Sequence, residues 1–305
     1  MITSSIKLSN ALRLLELWNR SSPFDQIGEH VLREKIWEDP DFDEDLALVV
    51  CKDNEPIAMA VGIAREMVIE HRGYIKLLAV APDVRRQGIA RQLVQTLEDK
   101  LRGFGVAAIR VGETAPNYLF PGIDDRYTEA IHLFESLGYV NVGQAHNLRS
   151  KLTGKDFSSV EIEADLASKG IEIRRGTVED MEVIDELIAK YWLAWRAEIA
   201  TALANDPISI HLAIKEKQVV GFSVYDSNNL GTGWFGPMGT RPEFQGLGIG
   251  KALMLRCLHD IQTQGHPSAI IAWVSPTRLY EKHAGSVLDR TFHRYEKRFT
   301  PLPAT

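Results

Sequence analysis

The sequence predicts a mixed α/β protein built from two tandem copies of one fold, and an internal repeat is the main observation behind this prediction. VAPDVRRQGIARQLV, at residues 80–94, lies 160 residues before TRPEFQGLGIGKALM, at residues 240–254. At that offset Pro82 matches Pro242 and Gly88 matches Gly248. Self-similarity at a fixed offset indicates a duplicated structural unit.

The helix expected after each of these segments carries the same apolar face. Residues 89, 93, 94, 97 and 101 form one apolar stripe at helical spacing, and residues 249, 253, 254, 257 and 261 repeat it. LFES (133–136) and LYEK (279–282) also match, as do the two starts, ITSSIKLSNALRLLELW and EIRRGTVEDMEVIDELI. Because separate segments match in the same order, we interpret the chain as a duplication and not as two similar helices.

The repeat sets the expected domain ranges. We expect a first domain at 1–152 and a second at 170–305, with the polar, small-residue segment 153–169 as a linker or the last element of the first domain. Periodicity and turn residues place the elements of the second copy in a definite order. They are a strand (171–175), one or more helices (178–203), strands (209–215, 218–226, 233–238), a helix (248–264), a strand (268–274), a helix (276–284) and further strands to the end.

Composition narrows the class of protein. The 305 residues are 45% hydrophobic and 25% charged, as in a soluble globular protein of about two domains. The net charge of −6 argues against nucleic acid as the main partner. We expect a cytoplasmic protein without a membrane partner, because no apolar run is long enough to span a bilayer, the N-terminus does not resemble a signal peptide, and the two cysteines form no disulfide framework. The nine histidines lack a tight metal-binding spacing, so no metal is expected.

The glycine-rich loop of the second copy, GLGIG at residues 246–250, is neither of two common nucleotide-binding loops. Its glycines alternate as G-x-G-x-G, whereas a dinucleotide-binding turn has G-x-G-x-x-G. Gln245 and Ala252 stand where a P-loop has glycine and serine or threonine.

Both repeated loops nevertheless suit a diphosphate. Each is expected to follow a strand and open a helix, where unpaired N–H groups and the positive end of the helix dipole attract anions. Glycine lets the backbone approach the phosphate closely. Arg91 and Lys251, in the first helical turns, add positive charge.

The two loops, RRQGIA (85–90) and QGLGIG (245–250), resemble the acetyl-CoA loop of the GNAT superfamily of N-acetyltransferases. LAVAP (78–82) resembles the strand before that loop, and SPTRLYEKHAG (275–285) resembles a later helix of the family, in which a tyrosine lies beside the CoA sulfur. The resemblance covers nearly all of both copies. It implies that each copy is a mostly antiparallel mixed sheet flanked by helices, in a layout similar to that of tandem members such as mycothiol synthase. The second copy also resembles GNAT units fused to bacterial N-acetylglucosaminidases, which hints at an amino sugar as acceptor.

The resemblance further implies acetyl-CoA as the acyl donor, with its pyrophosphate on one loop or on both. In the first copy it assigns to cofactor binding Leu78, Ala79, Val80, Arg85, Arg86, Gln87, Gly88, Ile89, Ala90 and Arg91. In the second copy it assigns Met238, Gly239, Thr240, Gln245, Gly246, Leu247, Gly248, Ile249, Gly250 and Lys251.

Direct transfer to an amine needs a proton for the leaving thiolate and a base for the amine. Tyr280 is the candidate acid, with a buried core tyrosine as the alternative, and the first copy has Phe134 at this position. Asp226, at the end of a strand, is the candidate base, although a solvated aspartate in a turn is the commoner role. The first copy offers three comparable glutamates, Glu66, Glu70 and Glu113. Cys257 falls on the apolar face of its helix and Cys51 ends the apolar run LALVV, so both are interpreted as core and an acyl-cysteine intermediate is disfavoured.

Three further segments have open interpretations. The acidic run EDPDFDED (38–45) is interpreted as a solvated loop, with attraction of a cationic acceptor as the alternative. Tyr191, Trp192 and Trp195 are interpreted as core, with a pocket wall as the alternative. The first copy carries 14 extra residues between its loop and later helix, near 117–130. Its aromatics are expected to line a pocket or dock on the second copy, with a surface loop that they anchor as the alternative.

We therefore expect an acetyl-CoA-dependent N-acetyltransferase that acts on a primary amine of a small molecule. The C-terminal copy is expected to be the catalytic one, because it holds Tyr280. The alternative is a non-catalytic protein that binds or senses acyl-CoA through two such folds.

Overall fold

The computed structural model describes residues 2–67 and 69–299, so Met1, Val68 and residues 300–305, which belong to the expected domain ranges, lie outside the described residues. The chain packs as two compact units. The first comprises Met1–Ala145 with Thr291–Thr305, and the second comprises His146–Arg290.

The first unit is a mixed sheet between two layers of helices. Its helices are α1 (Ala11–Ser21), α2 (Glu29–Lys35), α3 (Ile89–Gly103) and α4 (Thr128–Ser136). Its strands are β1 (Ile2–Ser5), β2 (Ala47–Lys52), β3 (Glu55–Glu66), β4 (His71–Val80), β5 (Ala108–Val111), β6 (Ile123–Asp124), the start of β7 (Val140–Lys151) and the end of β13 (Val287–Arg298). From β1 through β5 to β13 neighbouring strands are antiparallel, except the parallel pair β4–β5.

The second unit repeats this arrangement. Its helices are α5 (Val160–Ser168), α6 (Met181–Tyr191), α7 (Arg196–Ala204), α8 (Ile249–Thr263) and α9 (Arg278–Ala284). Its strands are β8 (Glu172–Arg175), β9 (Ile210–Lys215), β10 (Gln218–Tyr225), β11 (Trp234–Thr240), β12 (Ser268–Ile271) and residues 146–151 of β7. The order is β7-β12-β11-β10-β9-β8, and β11–β12 is the parallel pair. The predicted fold class, a duplicated and mostly antiparallel α/β unit, is confirmed.

The helices that follow the two loops are buried along the predicted faces. Ile89, Leu93 and Leu97 on α3 are at most 5% exposed, and they pack with residues of β2, β5 and α4. The corresponding residues of α8, such as Leu253 and Ile261, are fully buried. On the other face of the first sheet, α1 and α2 pack against β2, β3 and β4. The periodicity argument is therefore confirmed for both helices.

Elements of the second copy follow the expected order, with two differences. The expected helical region 178–203 divides at Trp192, whose φ of −148° ends α6 before α7 begins. After α9, the residues that the structure describes form one strand, β13, and not several. Among the described residues, none of the helices combines the length and the apolar character needed to cross a membrane.

The compact units and the expected sequence copies differ in three segments. Residues 146–152, expected in the first domain, belong to the second unit. The end of β13, residues 291–298, pairs with β5 and β6 and belongs to the first unit. The segment 153–169 holds α5, which packs against β8 and α8 within the second unit. The ranges 1–152, 153–169 and 170–305 stay a prediction about the duplication of the sequence, whereas the units describe how the chain packs.

Shortening one side chain of β13 tests this assignment. Phe292 is fully buried in the first unit, so Phe292→Leu is expected to lower the free energy of unfolding by about 1–2 kcal/mol. Amide hydrogen exchange should become faster in β5 and β6. Leu288→Ala, at a side chain that is 61% exposed, is the control and should change stability by less than about 0.5 kcal/mol. Faster exchange confined to the second unit would contradict the assignment.

Candidate functional site

The two glycine loops have the same backbone geometry. A short 3-10 turn, Pro82–Val84 or Pro242–Phe244, precedes each loop. Gly88 and Gly248 then open α3 and α8 with φ values of 81° and 97°. Only glycine adopts this left-handed conformation without steric cost. Each loop therefore presents the first N–H groups of a 15-residue helix at the end of a strand.

The strand before each loop extends beyond its parallel neighbour. The β4–β5 pairs run to Ile75↔Val111, while β4 continues to Val80. The β11–β12 pairs run to Phe235↔Ile271, while β11 continues to Thr240. A register shift accompanies the divergence in both units. The predicted donor-binding stretches 78–80 and 238–240 thus lie where the two parallel strands separate.

A cleft of about 680 Å³ lies at this place in the first unit. The cofactor-binding residues that the family resemblance predicts in the first copy all line this cleft, except Gln87. Those that line it are Leu78, Ala79, Val80, Arg85, Arg86, Gly88, Ile89, Ala90 and Arg91. A Cβ added at Gly88 would meet nothing within 4 Å, so the loop backbone is open on this side.

Arg85 ties the loop of the first unit to its surroundings. Its Nε donates to the carbonyl oxygen of Val80 at 3.1 Å, and its Nη2 donates to that of Ser21 at 2.8 Å. The end of β4 and the end of α1 are thereby fixed beside the loop. Arg91, in the first turn of α3, donates to Ser136 Oγ at 2.7 Å. Both guanidinium groups border the cleft and add positive charge at the helix N-terminus.

Aromatic residues of the extra segment 117–130 contribute to the same cleft. Phe120 stacks on Trp18 with ring centroids 6.4 Å apart, and both residues line the cleft. The Tyr127 hydroxyl accepts a hydrogen bond from the Phe24 N–H at 3.1 Å, and these two residues line it as well. Tyr118 is buried elsewhere in the unit. Of the two interpretations of this segment, the pocket wall therefore holds for Phe120 and Tyr127.

Sequence reasoning missed a buried ionic cluster beside the cleft. Lys76 lies on β4 next to the last β4–β5 pair and lines the cleft, and its side chain is 1% exposed. Its Nζ donates to Asp39 Oδ2 at 2.5 Å, and Arg65 Nη2 donates to Asp39 Oδ1 at 2.7 Å. Arg65 Nε also donates to Asp41 at 2.5 Å. The acidic run 38–45 is thus not wholly solvated, because Asp39 neutralises two buried cations.

A sequence signal for this cluster existed. Lys76 interrupts the apolar run YIKLLAV, residues 74–80, which otherwise reads as a buried strand. A lysine in such a strand needs a partner of opposite charge.

Burial controls the ionisation of the cluster. Desolvation lowers the pKa of Lys76 to about 7, in spite of the opposing charge of Asp39, and the nearby Lys35 lowers it further. Burial acts to raise the pKa of Asp39, but the charges of Lys76 and Arg65 outweigh it and lower this pKa below its usual value. The first unit therefore holds an amine that titrates near neutral pH beside an open cleft.

The loop of the second unit is more closely covered. A Cβ added at Gly248 would lie 2.9 Å from Ile162 Cδ1 on α5. Glu163 of α5 accepts two hydrogen bonds of 2.6 Å from Arg256 on α8, which holds α5 against that helix. A Cβ at Gly250 would lie 3.8 Å from both Leu279 and Met238, and one at Gly246 would meet nothing within 4 Å. The part of this loop around Gly246 is therefore its open side.

Tyr280 lies beside the point where β11 and β12 separate. Its ring contacts Phe235 edge to face with centroids 5.8 Å apart. Desolvation raises the pKa of Tyr280 to about 12, and the nearby Cys257 contributes to the rise. The phenol therefore stays protonated at neutral pH, and it is a weaker acid than a free tyrosine. Burial also raises the pKa of the Cys257 thiol, which is consistent with a core cysteine and not with a nucleophile.

The structure does not bring Asp226 together with the loop of the second unit. It is 4% exposed, follows β10 with a φ of 50°, and its carboxylate accepts from the Gly231 N–H at 3.2 Å and from Gln264 Nε2 at 3.1 Å. Gln264 follows the last residue of α8, about 22 Å along the helix from the glycine loop. Asp226 therefore stabilises a turn, and its role as the base stays a prediction.

The other candidates of the sequence analysis are also engaged. Glu70 accepts hydrogen bonds from Arg298 and Arg72, and Glu113 accepts them from Arg110 and Arg294. Glu66, by contrast, is exposed on the surface. Of the aromatic residues near 191–195, Trp192 packs over Gly239 of β11, where a Cβ would lie 2.9 Å from its ring. In the described part of the chain, no group of three acidic, histidine or cysteine side chains is arranged to hold a metal ion.

Comparison with known proteins agrees with this geometry. The family model described as "Acetyltransferase (GNAT) family" matches residues 11–139 and 176–285, one match in each copy. No curated protein sequence matches this chain.

Several solved structures are similar to the chain along its whole length. A GCN5-related glucosamine N-acetyltransferase region of a fungal multi-domain β-N-acetylglucosaminidase has a TM-score of 0.83 at 15% identity, covering 97% of this chain and 38% of the fungal chain. A GCN5-related N-acetyltransferase from Sphaerobacter thermophilus has a TM-score of 0.73 at 21% identity, covering 98% and 96%. A tandem GNAT protein from the clavulanic acid biosynthesis pathway has a TM-score of 0.68 at 13% identity, covering 98% and 99%.

At these identities the structural likeness concerns the fold, and this chain spans well under half of the fungal protein. The family match covers most of the chain, with both loops and both diverging strand pairs inside the matched ranges. The chain therefore belongs to the GNAT family of acetyltransferases.

Proposed function

We propose that the protein transfers an acetyl group from acetyl-CoA directly to the primary amine of a small molecule. The observation that carries this proposal is the open cleft of the first unit. It is lined by the glycine loop with Arg85 and Arg91, and by the end of β4 that extends beyond β5. A volume of about 680 Å³ falls in the usual range for a small-molecule site.

In this proposal each loop binds one donor molecule. The pyrophosphate lies on the N–H groups that open α3 or α8, where the helix dipole and the arginines or Lys251 favour negative charge. The pantetheine arm follows the backbone of residues 78–80 or 238–240, which extends beyond the parallel neighbour strand. Backbone N–H groups there stabilise the carbonyl oxygen as it gains charge.

In the second unit, Tyr280 is the proposed acid for the leaving thiolate. Its place beside the strand divergence supports this role. The acceptor is proposed to be a small amine. Amino sugars are the first class to test, because one structural neighbour is described as a glucosamine N-acetyltransferase region.

Release of CoA thiol from acetyl-CoA tests the proposal, with a panel of amino sugars, aminoglycosides, polyamines and amino acids as acceptors. Turnover with at least one amine, together with an acetylated product of the expected mass, is the expected result. CoA binding without turnover on any amine would instead favour a protein that binds or senses acyl-CoA.

Removing the hydroxyl of Tyr280 tests the role of the second unit. Tyr280→Phe is expected to lower turnover at least tenfold with little change in acetyl-CoA affinity, because the proton is needed in the transition state. Tyr225→Phe, which removes another buried tyrosine hydroxyl of this unit, is the matched control for loss of packing and hydrogen bonding. Equal turnover in wild type and Tyr280→Phe would remove Tyr280 from the mechanism.

A further inference from the structure

The first unit has Phe134 where the second has Tyr280, so its cleft lacks a phenolic acid at this position. The same cleft, however, is bordered by Lys76, which has no ionisable counterpart in the second unit. The register shift of β11 lies at Gly236 and Pro237, whereas that of β4 lies at Lys76. The two units therefore differ in the chemistry they place at the strand divergence.

We propose that the cleft of the first unit is a second acyl-transfer centre, in which the Lys76 amine accepts the proton of the acceptor ammonium and Asp39 holds that amine in place. This inference rests on the proposed function, since it requires an acyl-CoA donor and an amine acceptor.

The position of Lys76 supports this role. Lys76 lies on β4 two residues before Leu78. It is therefore about 7 Å from the start of the stretch 78–80, which is proposed to meet the thioester. An acceptor amine that approaches the thioester from beyond the pantetheine arm therefore arrives beside Lys76. Trp18 and Phe120, which stack on each other, line the same cleft.

The charges around Lys76 suit an amine that gains and loses a proton. Asp39 lies in the segment after α2, Arg65 on β3 and Lys35 on α2, and Arg65 also contacts Asp41. Lys35 in turn contacts Glu34 and Asn117. Three cations and three anions thus form the cluster. When Lys76 is protonated, the charges of the cluster balance. When Lys76 is neutral, Asp39 is still paired with Arg65. Burial with a pKa of about 7 places both forms of the amine near neutral pH.

The reaction balances without a further reactant. Neutral Lys76 takes one proton from the acceptor ammonium, and the freed amine nitrogen attacks the thioester carbonyl carbon. The new C–N bond forms as the C–S bond breaks. The second proton of the nitrogen passes to the departing sulfur and gives the CoA thiol, while Lys76 releases its proton to solvent before the next cycle.

The test uses the full chain carrying Tyr280→Phe, in which the contribution of the second unit is lowered. The readout is CoA thiol release with the amine on which the wild type is most active. The residual rate should rise with pH through about 7, because the neutral form of Lys76 is the active one. Adding Lys76→Met should lower this rate about a hundredfold and remove the rise. Asp39 keeps Arg65 as a partner in this variant, so the fold is expected to persist.

Two further variants separate catalysis from a structural role. Lys76→Arg keeps the positive charge beside Asp39 but cannot deprotonate, so a folded Lys76→Arg protein should be as inactive as Lys76→Met. Lys35→Met removes a positive charge that lowers the pKa of Lys76, so it should move the rise of the rate to higher pH.

Each outcome decides the proposal. A Tyr280→Phe protein with no residual turnover, a Lys76→Met rate within threefold of its parent, or an active Lys76→Arg variant would overturn it. A wild-type protein that releases no CoA thiol with any amine would contradict the proposed function itself, whereas an active wild type with an unaffected Lys76 variant contradicts this inference alone.

Discussion

Gly88→Val is expected to abolish donor binding in the first unit and to reduce the number of CoA molecules bound per chain from two to one. The valine side chain would project into the open space beside the loop, where a Cβ meets no protein atom within 4 Å and where the pyrophosphate is proposed to lie. A loss of at least a hundredfold in affinity, about 2.7 kcal/mol, should follow at this site. Isothermal titration with CoA measures both the affinity and the stoichiometry.

Gly138→Val is the matched control for the backbone strain that Gly88→Val introduces. Gly88 has a φ of 81°, so any other residue there costs about 1–2 kcal/mol of stability. Gly138 has a φ of 85°, also faces open space and does not line the cleft. Gly138→Val should therefore lose similar stability and still bind two CoA molecules. Wild-type affinity and stoichiometry in Gly88→Val would show that the cleft is not a donor site.

The second loop needs a different substitution. Gly248→Val would clash with Ile162 of the protein itself, so lost binding there would be confounded with lost packing. Gly246→Val has open space around its Cβ and is the appropriate partner of Gly88→Val.

Asp39→Asn is expected to lower the free energy of unfolding by about 3–5 kcal/mol, because it leaves two buried cations without their shared anion. The side chain of Asp39 is fully buried, and those of Lys76 and Arg65 are 1% and 7% exposed. Asp41→Asn is the control, since Asp41 is 39% exposed and contacts Arg65 alone among these cations. It should cost no more than about 1 kcal/mol. Chemical denaturation at pH 7 measures both losses.

The pH dependence of the free energy of unfolding tests whether Asp39 stabilises the fold through its charge. The folded protein holds the pKa of Asp39 below its usual value, so the stabilisation is fully present above the unfolded pKa and is lost as pH falls through the folded one. The difference in stability between wild type and Asp39→Asn should therefore shrink once the pH falls below the ordinary pKa of an aspartate, 3.8. A difference below about 1 kcal/mol at pH 7, or one that does not shrink below that pKa, would contradict the ionic role of Asp39.

The sequence by itself determined the features that depend on local pattern. The duplication, the two loops and the buried faces of α3 and α8 follow from residue spacing, because helix periodicity and glycine geometry are properties of short segments. Tyr280 and Phe134 were paired in the same way, through LYEK and LFES, and they lie on the corresponding helices α9 and α4.

Only the tertiary structure decided which distant residues meet. Lys76 and Asp39 lie 37 residues apart, and neither segment carries a pattern that names the other. The position of Asp226 at the far end of α8, the contact of Ile162 with the second loop and the place of β13 in the first unit likewise arise from chain packing. A buried charge is stable only where the fold brings an opposite charge to it, so the sequence could reveal that Lys76 needed a partner but not that the partner was Asp39.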